Sequence, residues 1–175
     1  MKKHLLLLFS LLATLAVCSG CDKVKDLANV KFQSEAQIDI PVRLNNDTSG
    51  DEQITVSLES NPKIKEYIDY LENITVKSVI VSLPDYKGSD ATYDLILKID
   101  GSTICKEDNV NLPEMKRQGT TITVAEQAVL KRIEKNLLNN KKINVYGAAE
   151  SKVGAVTANF TVRCVIKMEL TANPL

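Results

Sequence analysis

Val156-Thr157-Ala158-Asn159-Phe160-Thr161-Val162-Arg163-Cys164-Val165-Ile166-Lys167-Met168-Glu169-Leu170 alternates residue by residue, and that alternation decides the fold. Val156, Ala158, Phe160, Val162, Cys164, Ile166, Met168 and Leu170 share one parity, while Thr157, Asn159, Thr161, Arg163, Lys167 and Glu169 take the other. A period of two belongs to a pleated strand with one face on a core and the other in water. Fully extended, such a stretch runs about 50 Å, so a bulge or bend is expected near Cys164-Val165.

The same alternation recurs upstream. Phe32, Ser34, Ala36, Ile38, Ile40 and Val42 oppose Lys31, Gln33, Glu35, Gln37 and Asp39. Pro41 has no N–H to give a ladder, which puts the end of this strand on a sheet edge. Asn45 to Asp51 reads as a loop, and Gln53 to Glu59 alternates again. Ile74 to Leu83 is β-branched and reads as a core strand, with Pro84 to Asp90 turning the chain. Ala91 to Ile99 reads as a strand, and Asp100-Gly101 is a two-residue hairpin signal leading into Thr103 to Cys105. The polar stretch Glu107 to Gly119 is expected to hold one short strand around Val110, and Lys142 to Gly147 another strand.

Two segments follow a helical period instead. Asn61 and Pro62 suit an N-cap and a first helical position, and Ile64, Tyr67, Ile68 and Leu71 then fall on one stripe. Thr123 to Asn139 is the longest helical pattern, with Ala125, Val129, Ile133 and Leu137 spaced by four and Thr123 and Glu126 at capping-box spacing. Seven to eight strands with two inserted amphipathic helices predict a mainly β protein. The expected architecture is an immunoglobulin-like β-sandwich over residues 30–175, with a half-open barrel as the alternative.

The N-terminal segment is different in kind. Met1-Lys2-Lys3-His4 is followed by an apolar run from Leu5 to Val17, interrupted only by Ser10 and Thr14, and then by Cys18-Ser19-Gly20-Cys21. A positive start, a short apolar centre and a small-residue cleavage zone describe an export signal that is removed. The run falls short of the ~20 apolar residues of a membrane-spanning helix. Residues 1–20 therefore read as signal and 21–29 as tether. The segment resembles a bacterial lipoprotein signal. Cys21 fits that pattern through Gly20 and Ser19, although Cys18 stands where an aliphatic residue is usual. Cys18 is the weaker candidate, because Val17 is β-branched where a small residue is wanted. The resemblance implies a diacylglycerol thioether on Cys21 and an acylated amine. One acyl chain binds membranes only marginally, and two or three hold a protein stably. A plain secretory signal cut before Cys21 is the alternative.

Composition narrows the chemistry. Without Lys2 and Lys3, 20 basic residues face 22 acidic ones, so no basic excess exists to hold nucleic acid phosphates. There is no Trp, and rows of aromatics for stacking are absent. The only histidine, His4, leaves with the signal, which removes Ser-His-Asp and Cys-His nucleophile arrangements from the mature chain. Zinc would have to rely on Cys105, Cys164 and carboxylates, so no metal or cofactor is expected. Cys105 and Cys164 each sit in or beside a strand. In an oxidising compartment they either pair as a disulfide or stay as buried free thiols. Ser60-Asn61-Pro62-Lys63 has dyad spacing, but capping accounts for it better. Glu66 with Asp69, and Glu107 with Asp108, read as solvated positions rather than paired catalytic acids. Asn45 to Asp51 carries oxygen ligands without the spacing of a calcium loop. Tyr67 reads as core, and Tyr86, in a turn, as an exposed contact.

The order of elements resembles a group of uncharacterised small lipoproteins of the Bacteroidota, on Asn61-Pro62-Lys63-Ile64-Lys65-Glu66-Tyr67, Ile74-Thr75-Val76-Lys77-Ser78-Val79 and the final strand from Ala158 to Leu170. The resemblance implies a lipid-anchored envelope protein and brings no activity with it. The expected function is non-enzymatic: a binding or assembly module for a protein or glycan partner, anchored in the cell envelope at the outer membrane, without nucleic acid. Asp22, after the lipidated residue, resembles an inner-membrane retention signal of enterobacteria, but sorting rules differ between phyla. The alternative is a periplasmic carrier of a lipid or other apolar ligand, in a pocket beneath Ala125, Val129, Ile133 and Leu137.

Overall fold

A computed structural model describes residues 29–174. Eight strands form two four-stranded antiparallel sheets. They are β1 (Val30–Asp47), β2 (Ser49–Ser57), β3 (Leu71–Gly88), β4 (Thr92–Ile99), β5 (Ser102–Asn111), β6 (Thr121–Val124), β7 (Lys142–Ser151) and β8 (Val156–Ala172). Three α-helices are inserted among the described residues: α1 (Pro62–Lys65), α2 (Leu112–Gln118) and α3 (Gln127–Asn140). One sheet runs β1-β8-β3-β6 and the other β2-β7-β4-β5.

The pairing explains that order. β1 pairs with β8, β2 with β7, β3 with β6 and β4 with β5. The chain is thus one long two-stranded hairpin whose tip is the β4–β5 turn. Pairing of β3 with β8 and of β4 with β7 rolls that hairpin into two layers. This is the winding of a jelly roll. The expected sandwich is present, but the immunoglobulin order is not, since that fold joins its first, second, fifth and fourth strands in one sheet. Alternation along a strand fixes which face is buried. It does not fix which strand lies alongside.

At the tip, Asp100 and Gly101 both have positive φ (47° and 77°), the backbone of a type I′ turn. Asp100 accepts the Asn144 N–H at 2.9 Å through Oδ1 and the Asn136 Nδ2 at 2.8 Å through Oδ2. One carboxylate therefore ties the hairpin tip to β7 and α3.

β8 behaves as its alternation predicts, with its inward parity buried throughout. The expected bulge near Cys164-Val165 is not there, because β8 keeps register with β1 from Val30–Ala172 to Asn45–Thr157. The irregularities fall on β3 instead, between Leu71 and Asn73, Val76 and Ser78, and Ser82 and Asp85. The last of these absorbs Pro84, so β3 continues to Gly88 where a turn was expected. Pro41 lies on β1, an edge strand, as expected.

Three local expectations are corrected. Asn45 to Asp51 is no open loop, because β1 reaches Asp47 and β2 starts at Ser49, with Asn46 at φ 62°. The helix at Pro62 lasts one turn. Asn61 caps it by accepting the Lys63 N–H at 3.0 Å, Tyr67 leaves helical geometry at φ −116°, and Leu71 opens β3. The long helix starts at Gln127 rather than Thr123, because Thr121–Val124 pairs with Val79–Ser82 as β6. Glu126 then occupies the N-cap without a side-chain bond, so the expected capping box does not form. One helix escaped the sequence reading. Asn111 caps α2 by accepting the Glu114 N–H at 2.8 Å, and Gly119 ends it at φ 63°. Asn111, Pro113 and Glu114 are ordinary helix-start residues, hidden within a polar stretch.

β3 pairs with β6 only over Val79–Ser82, so the earlier half of that edge lies open to α3. Leu130, Ile133 and Leu137 of α3 are buried there, and Glu134 is only 9% exposed. Its Oε1 accepts the Val76 N–H at 2.9 Å, as a neighbouring strand's carbonyl would. Lys131 Nζ stands 2.8 Å from Oε2. Covering an edge in this way prevents it from pairing with another chain.

Candidate binding site

The outer face of the second sheet carries one of several concave surfaces outside the core. Along β4, Tyr93, Leu95, Leu97 and Ile99 point inward, which leaves Asp94, Ile96 and Lys98 on the outer face. Along β7, Tyr146 and Ala148 share that outer face. The registers align these positions in rows. Asp51, Ala148, Ile96 and Lys106 stand side by side across β2, β7, β4 and β5. Gln53, Tyr146, Lys98 and Thr103 form the next row. Ser49, Glu150 and Asp94 form the row on the other side.

The hollow follows from side-chain size. Ala148 has a single methyl and is surrounded by longer side chains, so a groove of about 340 Å³ opens above it, bounded by Asp51, Asp94, Ile96, Lys106, Tyr146 and Glu150. Its floor is Ala148 and Ile96, and Tyr146 forms a wall. Lys98 Nζ lies 5.5 Å from the centre of the Tyr146 ring, a cation–π contact that holds the ring in place.

The rim has both signs of charge. Asp94 Oδ2 accepts from Lys152 Nζ at 2.7 Å and Oδ1 accepts the Asn109 N–H at 2.9 Å. The Lys152 ammonium, followed by the Asn109 N–H, holds the Asp94 carboxyl below the usual carboxylate range, and the same bond raises Lys152. Lys106 pairs with Asp108 at 3.3 Å. This arrangement can grip a ligand through hydrogen bonds and an apolar floor.

The residues singled out from sequence lie elsewhere. Cys21, with the signal and the tether as far as residue 28, lies outside the described residues. Cys105 and Cys164 belong to different sheets and are both free thiols. Burial, then the nearby Cys105, pushes the Cys164 thiol up to about 12, and burial followed by Glu107 raises Cys105. Lys63 Nζ hydrogen-bonds the Gln33 carbonyl at 3.0 Å, so the Ser60–Lys63 segment clips β1 rather than forming a dyad. Glu66 and Asp69 are exposed. Tyr86 is no loop contact. It sits on β3, stacks on Phe160 with ring centres 5.9 Å apart, and lies 2.9 Å from the Tyr93 hydroxyl. Burial, then the Tyr93 bond, lifts its hydroxyl well above the ordinary tyrosine value. Among the described residues, no group of three or more His, Cys, Asp and Glu side chains converges to hold a metal. Between the sheets, a cavity of about 20 Å³ is lined in part by Cys105, Val81 and Val162, room for about one water.

Sequence reasoning missed the groove because its members come from four strands whose neighbours were unknown. The signal available was Tyr146-x-Ala148 on the polar face of a strand, an aromatic and a small residue where charge is usual.

No family model matches the chain, and no curated protein matches it. Among solved structures it is similar to the particle of mud crab tombus-like virus, at 13% identity over 84% of this chain and 83% of that one, with a TM-score of 0.42. It is similar to the decameric capsid protein of BFDV at 7% identity over 81% and 98%, with a TM-score of 0.40. It is also similar to a family 35 carbohydrate binding module from Clostridium thermocellum at 11% identity over 78% and 96%, with a TM-score of 0.35. At these values the likeness carries no argument about what the chain does.

Proposed function

We propose that the protein is a lipid-anchored, non-enzymatic binding module of the bacterial cell envelope, held in the outer membrane through acylated Cys21. The observation that carries this reading is the apolar run from Leu5 to Val17 followed by Ser19-Gly20-Cys21. No helix among the described residues is long and apolar enough to cross a membrane, which leaves the N-terminal lipid as the means of attachment in this proposal. The distribution of space favours a binding module over a carrier. The apolar stripe of α3 is packed on β3 and β7, and the space between the sheets is too small for an acyl chain, whereas the surface grooves are several hundred Å³.

Intact mass and N-terminal peptide analysis of the protein purified from native membranes tests the anchor. An acylated N-terminal Cys21, lost together with membrane retention in Cys21→Ser, is the expected result. An unmodified N-terminus refutes the anchor.

A further inference from the structure

We propose that the groove over Ala148 binds a neutral carbohydrate chain, with Tyr146, Ile96 and Ala148 taking a sugar-ring face and the charged rim taking its hydroxyls. This rests on the binding-module reading above and names the class of ligand.

The floor comes first. Ala148 and Ile96 are cross-strand neighbours, and the Tyr146 ring stands beside them against Lys98. Together they make a short, flat apolar surface with a rigid wall. One face of a pyranose is a set of C–H groups of that extent, and its edge is a ring of hydroxyls. An acyl chain would need a longer and deeper slot, and it would bring the charged rim against hydrocarbon at a cost.

The rim then selects the ligand's charge. Asp51, Asp94, Glu150 and Lys106 line the groove, Lys98 lies against its Tyr146 wall, and Lys152 and Asp108 pair with Asp94 and Lys106. Such a rim, with four carboxylates interleaved with three ammonium groups, has no strong single-sign field to concentrate a polyanion or a polycation. A hydroxyl both donates and accepts, so it can serve a carboxylate and an ammonium together. Asp94 is already engaged by Lys152 and Asn109. Asp51 and Glu150 make no side-chain hydrogen bond among the described residues, which leaves two charged acceptors on the rim for a ligand's donors.

The backbone argues against a peptide. An extended peptide adds to an unpaired strand edge or fills side-chain pockets. Here the floor lies on β7 and β4, the two central strands of the sheet, whose main chains are paired on both sides. The groove also stands in the half of the sandwich far from Val30, since Asp51 lies just beyond Asp47, where β1 ends. A chain tethered ahead of Val30 would present this groove away from its point of attachment.

The test uses the full chain purified in detergent, with the mass of its N-terminal peptide recorded on the same sample. Cellohexaose, xylohexaose, mannohexaose, maltohexaose and chitohexaose are each titrated to millimolar concentration and followed by NMR at the Ala148 and Ile96 methyls and the Tyr146 ring. Heparin and a neutral decapeptide serve as contrasting probes. The expected result is saturable shifts at those groups with at least one hexaose. Tyr146→Ala should weaken binding at least about tenfold, Asp51→Asn should weaken it less, and Tyr70→Ala, outside the groove, should leave it unchanged. Backbone spectra of each variant establish that it is folded. Shifts with none of the five, binding indifferent to Tyr146→Ala, or preference for heparin or the peptide at this face would overturn the proposal. Acylation reads out separately, so an unmodified Cys21 in a sugar-binding protein would sink the anchor and leave the site standing.

Discussion

Glu134 provides the sharpest test of how the open edge of β3 is protected. Its carboxylate is nearly buried, accepts the Val76 N–H at 2.9 Å and faces Lys131 at 2.8 Å. A hydrogen bond to a charged group contributes about 1.5–3 kcal/mol, and a buried donor left unpaired costs about 1–3 kcal/mol. The Lys131 side chain is 67% exposed, so its pairing contributes only a few tenths, about 0.2–0.5 kcal/mol. Glu134→Ala should therefore lower unfolding stability by about 2–3 kcal/mol. Glu134→Gln keeps a carbonyl for the amide and should cost about 1 kcal/mol or less, because it loses only the charge assistance. Lys131→Ala should cost under about 0.5 kcal/mol. Urea unfolding supplies the stabilities, and amide exchange at Val76 supplies the local readout, with protection falling in the alanine variant and surviving in the glutamine variant. If Glu134→Gln is as damaging as Glu134→Ala, the charge rather than the acceptor matters. If Glu134→Ala costs almost nothing, solvent reaches that edge and the argument for edge protection fails.

Three further outcomes follow from named contacts. Arg163 grips Asp39 through two bonds of 2.7 and 2.8 Å and holds its carboxyl below the usual range. The unfolded chain thus takes up that proton first, so the contribution is full above about pH 4 and fades as pH falls through the folded value. Asp39 is 41% exposed, so screening keeps the effect below about 1 kcal/mol; acid titrations of wild type and Asp39→Asn should converge at low pH, and constant separation down to pH 2 would contradict the assignment. Asp100→Ala should cost about 2–3 kcal/mol in urea melts through the unpaired Asn144 N–H and the lost acceptor for Asn136, on top of a strained φ, while Asp100→Asn should recover much of that. Under a thiol-specific reagent, Cys164 should stay unmodified until the protein unfolds and Cys105 should react slowly, because burial raises both thiols above ambient pH; rapid native labelling of Cys164 would contradict its burial.

Much of the strand inventory could be read from alternation, since burial of one face is a local property of sequence. β8 and β1 were legible because each has one apolar parity. The hairpin tip was legible because Asp-Gly tolerates two successive positive φ values. What alternation could not supply was lateral order. The choice between an immunoglobulin and a jelly-roll winding depends on pairs such as Val81 with Cys164 and Ile96 with Ala148, far apart in sequence. Thr123 and Val124 were read as the start of the long helix, and pairing of Thr121–Val124 with β3 overrode that reading. The helix at Pro62 was overestimated because Tyr67 lies 5.2 Å from Phe32, centre to centre, a contact from β1 that a local stripe does not announce. The groove was the least legible feature, since Ile96 and Lys106 of the β4–β5 hairpin meet Ala148 and Asp51 only when β4 pairs with β7.

A hairpin rolled in this way sets the order in which the chain can fold. The β4–β5 tip closes a two-residue turn and can zip early, whereas Asp39 and Arg163 are 124 residues apart. Closing loops of that span costs more entropy than closing a turn, and folds dominated by such pairings are slow. Among the described strands β8 is made after all the others and fills the slot between β1 and β3, so β1 waits for β8. Until the final segment arrives, the inner edges of both β1 and β3 are unpaired and able to stick to other chains. Loss of the residues after Val156 should therefore release soluble-to-aggregate conversion of everything upstream, not merely trim one strand.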